Sequence, residues 1–403
     1  MRPNFIVILA AIAAFFLKFW CASETIGTTD TLLFCQFGQI INDDGLVHTY
    51  RTSELFNHTP LVGTYAAFCD RVDRTEREQL RWLPLLIRLP GIIADFLAIL
   101  VLFRIRTLTG RPPWWALGLF ALSPVAFMVS GYHGNVDSVL ALMLLVTAWM
   151  CVEKKPVLCG IALGLACQIK VIPLLLAPVF FAHWIPRKKW LHFAIAAGVV
   201  ILIGWAPALG EARGVFLSRV LGYSGFWGAW GISYTLRTVS GLRAFSGIGM
   251  TNLSPEQNAV MACSKYLIIS FVLLLAWQRR KADATGLIQT LSLVWAIFFV
   301  FATGVAPQYF VWLAPFVLLA TPRWYAAITA AVSVFLVAFY STISTGAPWT
   351  FRPWVLGLSQ NEYVPIWGPY LYLPWLTLIV YLVWLVWLFR QPATDPLATA
   401  GEL

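Results

Sequence analysis

SGYHGNVDSVLALMLL, residues Ser130 to Leu145, sets a histidine, an asparagine and an aspartate between two apolar runs. Each run is long enough to be a membrane helix, so the polar residues form the tip of a helical hairpin. Gly131 and Gly134 end the first helix. Asn135 can cap the second, with Asp137 and Ser138 in its first turn, where acidic side chains meet unpaired N–H groups and the positive end of the helix dipole. Capping accounts for Asn135, Asp137 and Ser138 but leaves His133 unexplained. Ionisable groups at membrane depth usually mark a site, and His133, Asn135 and Asp137 are therefore candidates.

Composition fixes the solvent. Of 403 residues, 60% are apolar and 11% charged, against about a quarter charged in a typical soluble domain. Mean hydropathy is +0.76. Runs of roughly 20 apolar residues recur, the length that crosses about 30 Å of hydrocarbon as helix. Helices are expected because they satisfy their own backbone in lipid. The expected fold is an all-α polytopic membrane protein, a single integral-membrane domain over residues 1–403. The net charge of +10 does not point to nucleic acid. The basic residues sit in short clusters between apolar runs: Arg104, Arg106 and Arg111; Lys154 and Lys155; Arg187, Lys188 and Lys189; Arg279, Arg280 and Lys281; then Arg323 and Arg390. That is the positive-inside pattern, which faces the cytoplasm and meets anionic lipid heads. No Gly-rich phosphate loop lies in those segments, which argues against a nucleotide-driven machine. The seven cysteines show no metal spacing, although Cys21, Cys35 and Cys69 share one outer segment with room for a disulfide.

With Arg2 inside, twelve passes thread the chain, at about 5–20, 82–103, 113–130, 136–152, 157–169, 171–184, 190–209, 261–277, 284–303, 309–321, 326–345 and 372–389. Phe5–Trp20 is read as a retained helix, since only Arg2 precedes it as a charge and no A-x-A site follows. Residues 157–184 lie between two basic clusters. They fit a broken or re-entrant pair turning at Lys170 and Pro173, or one tilted helix with a snorkelling Lys170. Each half of the pair spans about 20 Å at 1.5 Å per residue. Three long segments fall outside: 21–80, expected to carry amphipathic helices, 210–260 and 346–371. They hold most of the 18 acidic residues, so polar chemistry belongs to the outer face.

Within that face, Asp30 is the strongest single candidate. In GTTDTLLFCQFGQIINDDG, Phe34, Phe37 and Ile41 fall at helical spacing, so a surface helix begins near Asp30. The alternative is that Asp30 or Thr29 simply caps it. Asp43 and Asp44 precede Gly45 as a turn. His58 breaks the chain before another apolar stretch, as a ligand contact or a turn residue. Arg88 and Asp95 lie two turns apart and pair with each other or with neighbours. Lys170, at an outer turn, suits an anion such as a phosphate. The aromatic outer segments mix in Arg237, Gln308, Tyr309 and Arg352, beyond what an interfacial aromatic belt explains.

These pieces together resemble the GT-C superfamily of glycosyltransferases, and most closely its mannosyltransferase-like branches. The points of contact are Asp30 soon after the first helix, then FNHTPL, RLPGIIAD, SPVAFMVSGYHGNVDS, GIALGLACQIKVIPLLLAP, WGISY and PQYFVWLAP, in order from about residue 25 to 320. The resemblance implies a GT-C-like bundle of about 12 transmembrane or re-entrant helices with a helical first outer loop. It implies an inverting enzyme that takes a sugar, mannose above others, from a polyprenyl-phosphate carrier to a lipid-linked or glycan acceptor. Asp30 would be the base. Lys170, with His133 or an outer arginine such as Arg352, would hold the phosphate. His58, Asn135, Asp137, Gln308 and Tyr309 would line the sugar site. No cofactor is implied, but Asp30 lacks a paired Asp-x-Asp or Glu-x-Asp motif, which leaves Asp44 or Asp137 as its partner and metal use open. The partners are the lipid-linked donor, the acceptor and membrane lipid, with no nucleic acid. A bacterial cytoplasmic membrane, rather than that of the ER, is expected, with the site on the periplasmic or lumenal side. Two rivals share these features: a transporter or flippase for a lipid-linked sugar, and a non-enzymatic subunit of a glycan pathway. A transporter predicts similar halves and polar residues through the bilayer depth. The halves 1–200 and 201–403 show no self-similarity, and the polar residues gather on one side.

Overall fold

The computed structural model describes residues 3–73, 82–223, 225–250, 252–344 and 360–390. Its helices follow the apolar runs. α1 (Pro3–Glu24) leads into α2 (Thr29–Asp44), α3 (Leu46–Thr52) and α4 (Pro60–Asp73), which occupy the segment read as the first outer loop. α5 (Leu83–Thr109) is followed by a bent crossing made of α6 (Trp114–Ala121), α7 (Pro124–Ala126) and a π-helical segment, Phe127–His133. α8 (Asp137–Val152), α9 (Pro156–Ile169), α10 (Pro173–Trp184) and α11 (Trp190–Glu211) come next. α12 (Arg213–Phe216) and α13 (Gly231–Val239) lie in the long connection to α14 (Pro255–Gln278). α15 (Ala284–Phe301), α16 (Phe310–Ala320), α17 (Pro322–Ile343), α18 (Gln360–Trp367) and α19 (Tyr372–Arg390) complete the bundle. No strand occurs among the described residues, only an isolated bridge between Trp227 and Gly249.

Eight helices are long and apolar enough to cross a membrane, and four shorter apolar helices join them. They fall where the sequence places its twelve passes. Side-chain exposure separates their roles. α15 is buried on nearly every side, with Trp295 fully enclosed. α1, α11 and α19 turn bare apolar faces outward: Phe16 is 64% exposed, Ile203 71% and Val383 63%. Apolar surface on that scale needs lipid against it, and the chain is an integral, multi-pass membrane protein.

Local chemistry sets the boundaries. Gly45, at φ 90°, turns the chain between α2 and α3. Ser254 and Gln257 form a reciprocal capping box, with Pro255 in the first turn of α14. Residues 157–184 are two helices rather than one. Lys170 is extended (φ −149°, ψ 163°), and Pro173, which offers no N–H to a preceding helix, starts α10.

Several local expectations are corrected. All seven cysteines are free, so the outer segment holds no disulfide. Asn135 does not cap α8, whose N-cap is Val136 with no side-chain bond, whereas Asp137 does lie in the first turn. Neither Asp30 nor Thr29 caps α2; Thr28 occupies the N-cap position, and its hydroxyl bonds the His133 carbonyl instead. Arg88 and Asp95 pair with neighbours and not with each other. Asp95 Oδ2 receives Lys18 Nζ at 2.5 Å and the Ser130 hydroxyl at 2.6 Å. Arg88 is fully buried and donates to the carbonyls of Pro84, Ala22, Thr25, Gly131 and Tyr132.

The two ends of the bundle differ. Arg104 at the end of α5 meets Glu153 at the end of α8 at 2.9 Å, and Arg187 donates to the carbonyls of Arg280 and Ala282. These contacts join the basic clusters at one end. Arg88 and the hairpin tip lie at the other end of α5.

Lys18→Met should strand the buried Asp95 carboxylate and cost about 3–5 kcal/mol of stability, read from unfolding midpoints in detergent. Adding Asp95→Leu should restore most of the loss. A single variant as stable as the parent would contradict the pairing.

Candidate active site

Asp30 lies in the first turn of α2, on the side that faces the hairpin tip. Its Oδ2 accepts from Asn135 Nδ2 at 2.6 Å and meets His133 Nε2 at 3.1 Å. His133 Nδ1 lies 2.9 Å from the Tyr340 hydroxyl of α17. A ring protonated on Nε2 donates to Asp30 and accepts from Tyr340, which satisfies both nitrogens. Asp30 Oδ1 has no partner among the described residues, and the side chain keeps 28% of its surface accessible. Burial pushes its carboxyl toward the neutral form. The His133 ring, the hydrogen bonds from His133 and Asn135, and the Lys170 charge outweigh burial and hold its pKa down at about 2. The group is therefore a fixed carboxylate with one oxygen held and one free.

A second carboxylate sits beside it. Asp137 is fully buried, and its Oδ1 accepts from Lys170 Nζ and from Trp312 Nε1, both at 2.8 Å. Its Oδ2 has no partner among the described residues. Lys170 Nζ lies 4.9 Å from the ring centre of Tyr309 and 5.4 Å from that of Trp312, and those two rings stack at 3.9 Å. The break between α9 and α10 thus delivers an ammonium group to the start of α8, over an aromatic shelf from α16.

A cavity of about 380 Å³ opens in front of this shelf, walled by α10 and α14. Asn57, His58, Lys170, Tyr223 and Tyr309 make its polar end. His58 packs among Phe34, Phe37 and Phe56 at ring distances of 5.0, 5.8 and 5.8 Å. Burial and the Lys170 charge lower its pKa to about 4, against a smaller opposing pull from Asp30, so the ring is neutral at physiological pH. The Tyr223 hydroxyl hydrogen-bonds to Tyr309, and burial raises its pKa.

The structure thus places His58, Lys170 and Tyr309 on the cavity, with Asp137 bonded to Lys170 behind it; Asp30, His133 and Asn135 form a second bonded cluster that is not part of the lining. Gln308 is buried on the turn before α16 with its Oε1 unpartnered among the described residues, behind the cavity wall rather than in it. Arg237 bonds the Gly228 carbonyl, away from the cavity. Arg352 lies outside the described residues. Asp44 is not the partner of Asp30; it is exposed at the far end of α2, 3.9 Å from His48. Sequence reasoning missed Tyr340, Trp312 and Thr28. Trp312 stood inside a quoted motif, but nothing in the apolar run of α17 marks Tyr340. Among the described residues, no group of three or more His, Cys, Asp or Glu is placed to hold a metal ion.

Carboxylates and an ammonium group gather at one end of a membrane bundle, near a cavity walled by apolar helices. The profile of Glycosyltransferase family 87 matches residues 80–303, and the chain belongs to that family. It is a membrane glycosyltransferase. No curated protein matches the chain.

The depressed pKa of Asp30 has a pH signature. Its contribution to stability is complete above its unfolded value of about 3.9 and is lost as pH falls through about 2. The stability gap between the parent and Asp30→Asn should stay constant from neutral pH to about pH 5, then close toward pH 2. Melting curves in detergent across that range measure it; a gap that stays flat below pH 5 would show an ordinary carboxyl, and one that widens there a raised one.

Proposed function

We propose that this glycosyltransferase moves a neutral hexose with inversion from a polyprenyl phosphate to a hydroxyl of a lipid-linked or glycan acceptor. The observation that carries the reading is the free Oδ1 of Asp30, near a mostly apolar cavity that His58 and Lys170 line. Mannose is the sugar implied by the resemblance to the mannosyltransferase-like branches. Two carboxylates close to Lys170 argue for a sugar without a negative charge of its own.

In this reading Asp30 is the base. The acceptor oxygen bonds to the anomeric carbon while the bond from that carbon to the phosphate oxygen breaks. The bonding pair leaves on the phosphate, and the acceptor proton passes to Asp30 Oδ1. A carboxylate with little affinity for protons suffices, because the oxygen it relieves is by then a cationic oxonium, far more acidic than a hydroxyl. General base catalysis of this kind contributes about 10²–10⁴-fold. Lys170 faces the departing phosphate and stabilises it electrostatically, while His133 holds Asp30 in position. Neutral His58, Asn135, Asp137 and Tyr309 line the sugar, and Gln308 backs Tyr309. The cations in this reading are the chain's own, and no cofactor is invoked. The basic clusters at the opposite end of α5 favour a site on the periplasmic side of a bacterial cytoplasmic membrane.

The test is transfer by purified protein in lipid nanodiscs, given a polyprenyl-phosphate-linked mannose and a lipid extract of the native membrane as acceptor. Asp30→Asn should lower turnover by about 10²–10⁴-fold with an unchanged melting profile at neutral pH beyond the loss of its own hydrogen bonds. Near-parent turnover in that variant would remove Asp30 from the role. Transfer from a sugar nucleotide but not from the lipid-linked sugar would overturn the donor assignment.

A further inference from the structure

α14 is an apolar helix with one charge inside it. Lys265 lies ten residues past Pro255 and thirteen before Gln278, with no other charged residue between Glu256 and Arg279. In the crossing expected at 261–277 it stands about one turn from the outer end. An unpaired charge within an apolar crossing needs a reason. Lys265 is exposed, has no hydrogen bond or ion pair among the described residues, and lines the same cavity as Lys170 and His58.

The charges around that cavity make Lys265 distinctive. Lys170 is already matched by Asp137 at 2.8 Å. Asp30 leans on an imidazole and an amide and offers no cation in excess. His58 is neutral. Arg88 is spent on carbonyls behind the tip and does not reach the cavity. Among the described lining residues, Lys265 is thus the one ammonium without a carboxylate. Without Lys265, the only ammonium among the described lining residues would be that of Lys170, which is already committed to Asp137.

The space beyond Lys265 fits a chain. One turn and two turns further along the same helix face come Ile268, Val272 and Leu273, opposite Leu174 and Pro178 of α10. Leu174 and Leu273 remain exposed at 37% and 52%, so the groove opens sideways toward lipid. Helical side chains lean toward the N-terminus of their own helix. The lysine stem therefore lies along the groove and lifts its ammonium toward the polar end.

We infer that Lys265 anchors the phosphate of a lipid-chain phosphodiester whose tail lies in the groove between α10 and α14, an inference that rests on the polyprenyl-phosphate donor reading above. Lys265 supplies the free positive charge, and Lys170, shared with Asp137, works beside it.

The experiment measures dissociation constants in phosphatidylcholine nanodiscs for three probes: undecaprenyl phosphate, undecaprenol and dioleoyl phosphatidic acid. The parent should bind undecaprenyl phosphate at least tenfold more tightly than either of the others. Lys265→Gln should weaken undecaprenyl phosphate about tenfold and leave undecaprenol unchanged, and Lys265→Arg should keep most of the affinity. Because Lys265 is exposed and unpaired, the melting midpoints should match; should Lys265→Gln not fold, Lys265→Met replaces it in the same comparison. Parent-like affinity of the Gln or Met variant for undecaprenyl phosphate overturns the inference. So does equal binding of phosphatidic acid, which would assign the groove to bulk phospholipid. If Lys265 controls carrier binding yet no sugar is transferred, the donor reading fails and the anchor stands. If transfer proceeds and Lys265 has no effect on binding, the anchor alone fails.

Discussion

The site depends on how one buried guanidinium is neutralised. Arg88 sits where α1 ends and the π-helical segment ends, among carbonyls that no later turn of helix can use. It accepts that role at both ends at once: Ala22 and Thr25 on one side, Gly131 and Tyr132 on the other. A cation is favoured at the negative end of a helix dipole, and here it meets two. The result is a rivet between the segment that carries Asp30 and the tip that carries His133 and Asn135. Thr28 adds its backbone N–H and hydroxyl to the His133 carbonyl. The fit is close enough to demand glycine. Gly27 (φ 91°) and Gly134 (φ 89°) occupy left-handed backbone, and a Cβ on either would collide with the Tyr132 carbonyl or the Thr31 hydroxyl.

Sequence reading went furthest where the physics is local or one-dimensional. Apolar length and the sidedness of lysine and arginine set out the crossings, since both follow from the bilayer alone. The helical spacing of Phe34, Phe37 and Ile41 announced α2. Reading failed where a polar side chain had both a local and a distant partner to choose from. Asn135 looks like a cap because the cap position is adjacent in sequence; its Oδ1 takes the Val136 N–H, but its Nδ2 goes to Asp30, 105 residues away. Asp137 lies in the first turn of α8 as expected, yet its Oδ1 bonds Trp312, 175 residues away. Lys18 and Asp95 are separated by 77 residues, and Tyr340 and His133 by 207. No periodicity encodes such meetings.

The matched family stretch, 80–303, contains His133, Asn135, Asp137 and Lys170 but not Asp30, Tyr309, Trp312 or Tyr340. The site is therefore closed from both flanks, by the helices before the stretch and by those after it. Tyr340 orients the histidine from the C-terminal side while Asp30 receives it from the N-terminal side. Trp312 and Tyr309 do the same for the Asp137–Lys170 pair. Asp30, itself from the N-terminal wing, is gripped by two tip residues, and Asp137 by Lys170 from the middle of the chain and Trp312 from the C-terminal wing.

The helices that meet at the site are shorter than the bilayer is thick. α8, α9 and α10 have 16, 14 and 12 residues, or about 24, 21 and 18 Å, beside roughly 30 Å of hydrocarbon. α1, α5, α11 and α14, with 22 to 27 residues, reach across in full. A helix that starts at the basic end and runs about 24 Å stops short of the opposite rim, so Asp137 and Lys170 are set back from the ends of the long set. On the donor reading proposed above, a lipid-borne cargo would be engaged there without being hoisted out of its leaflet, whereas a freely dissolved one would first have to descend.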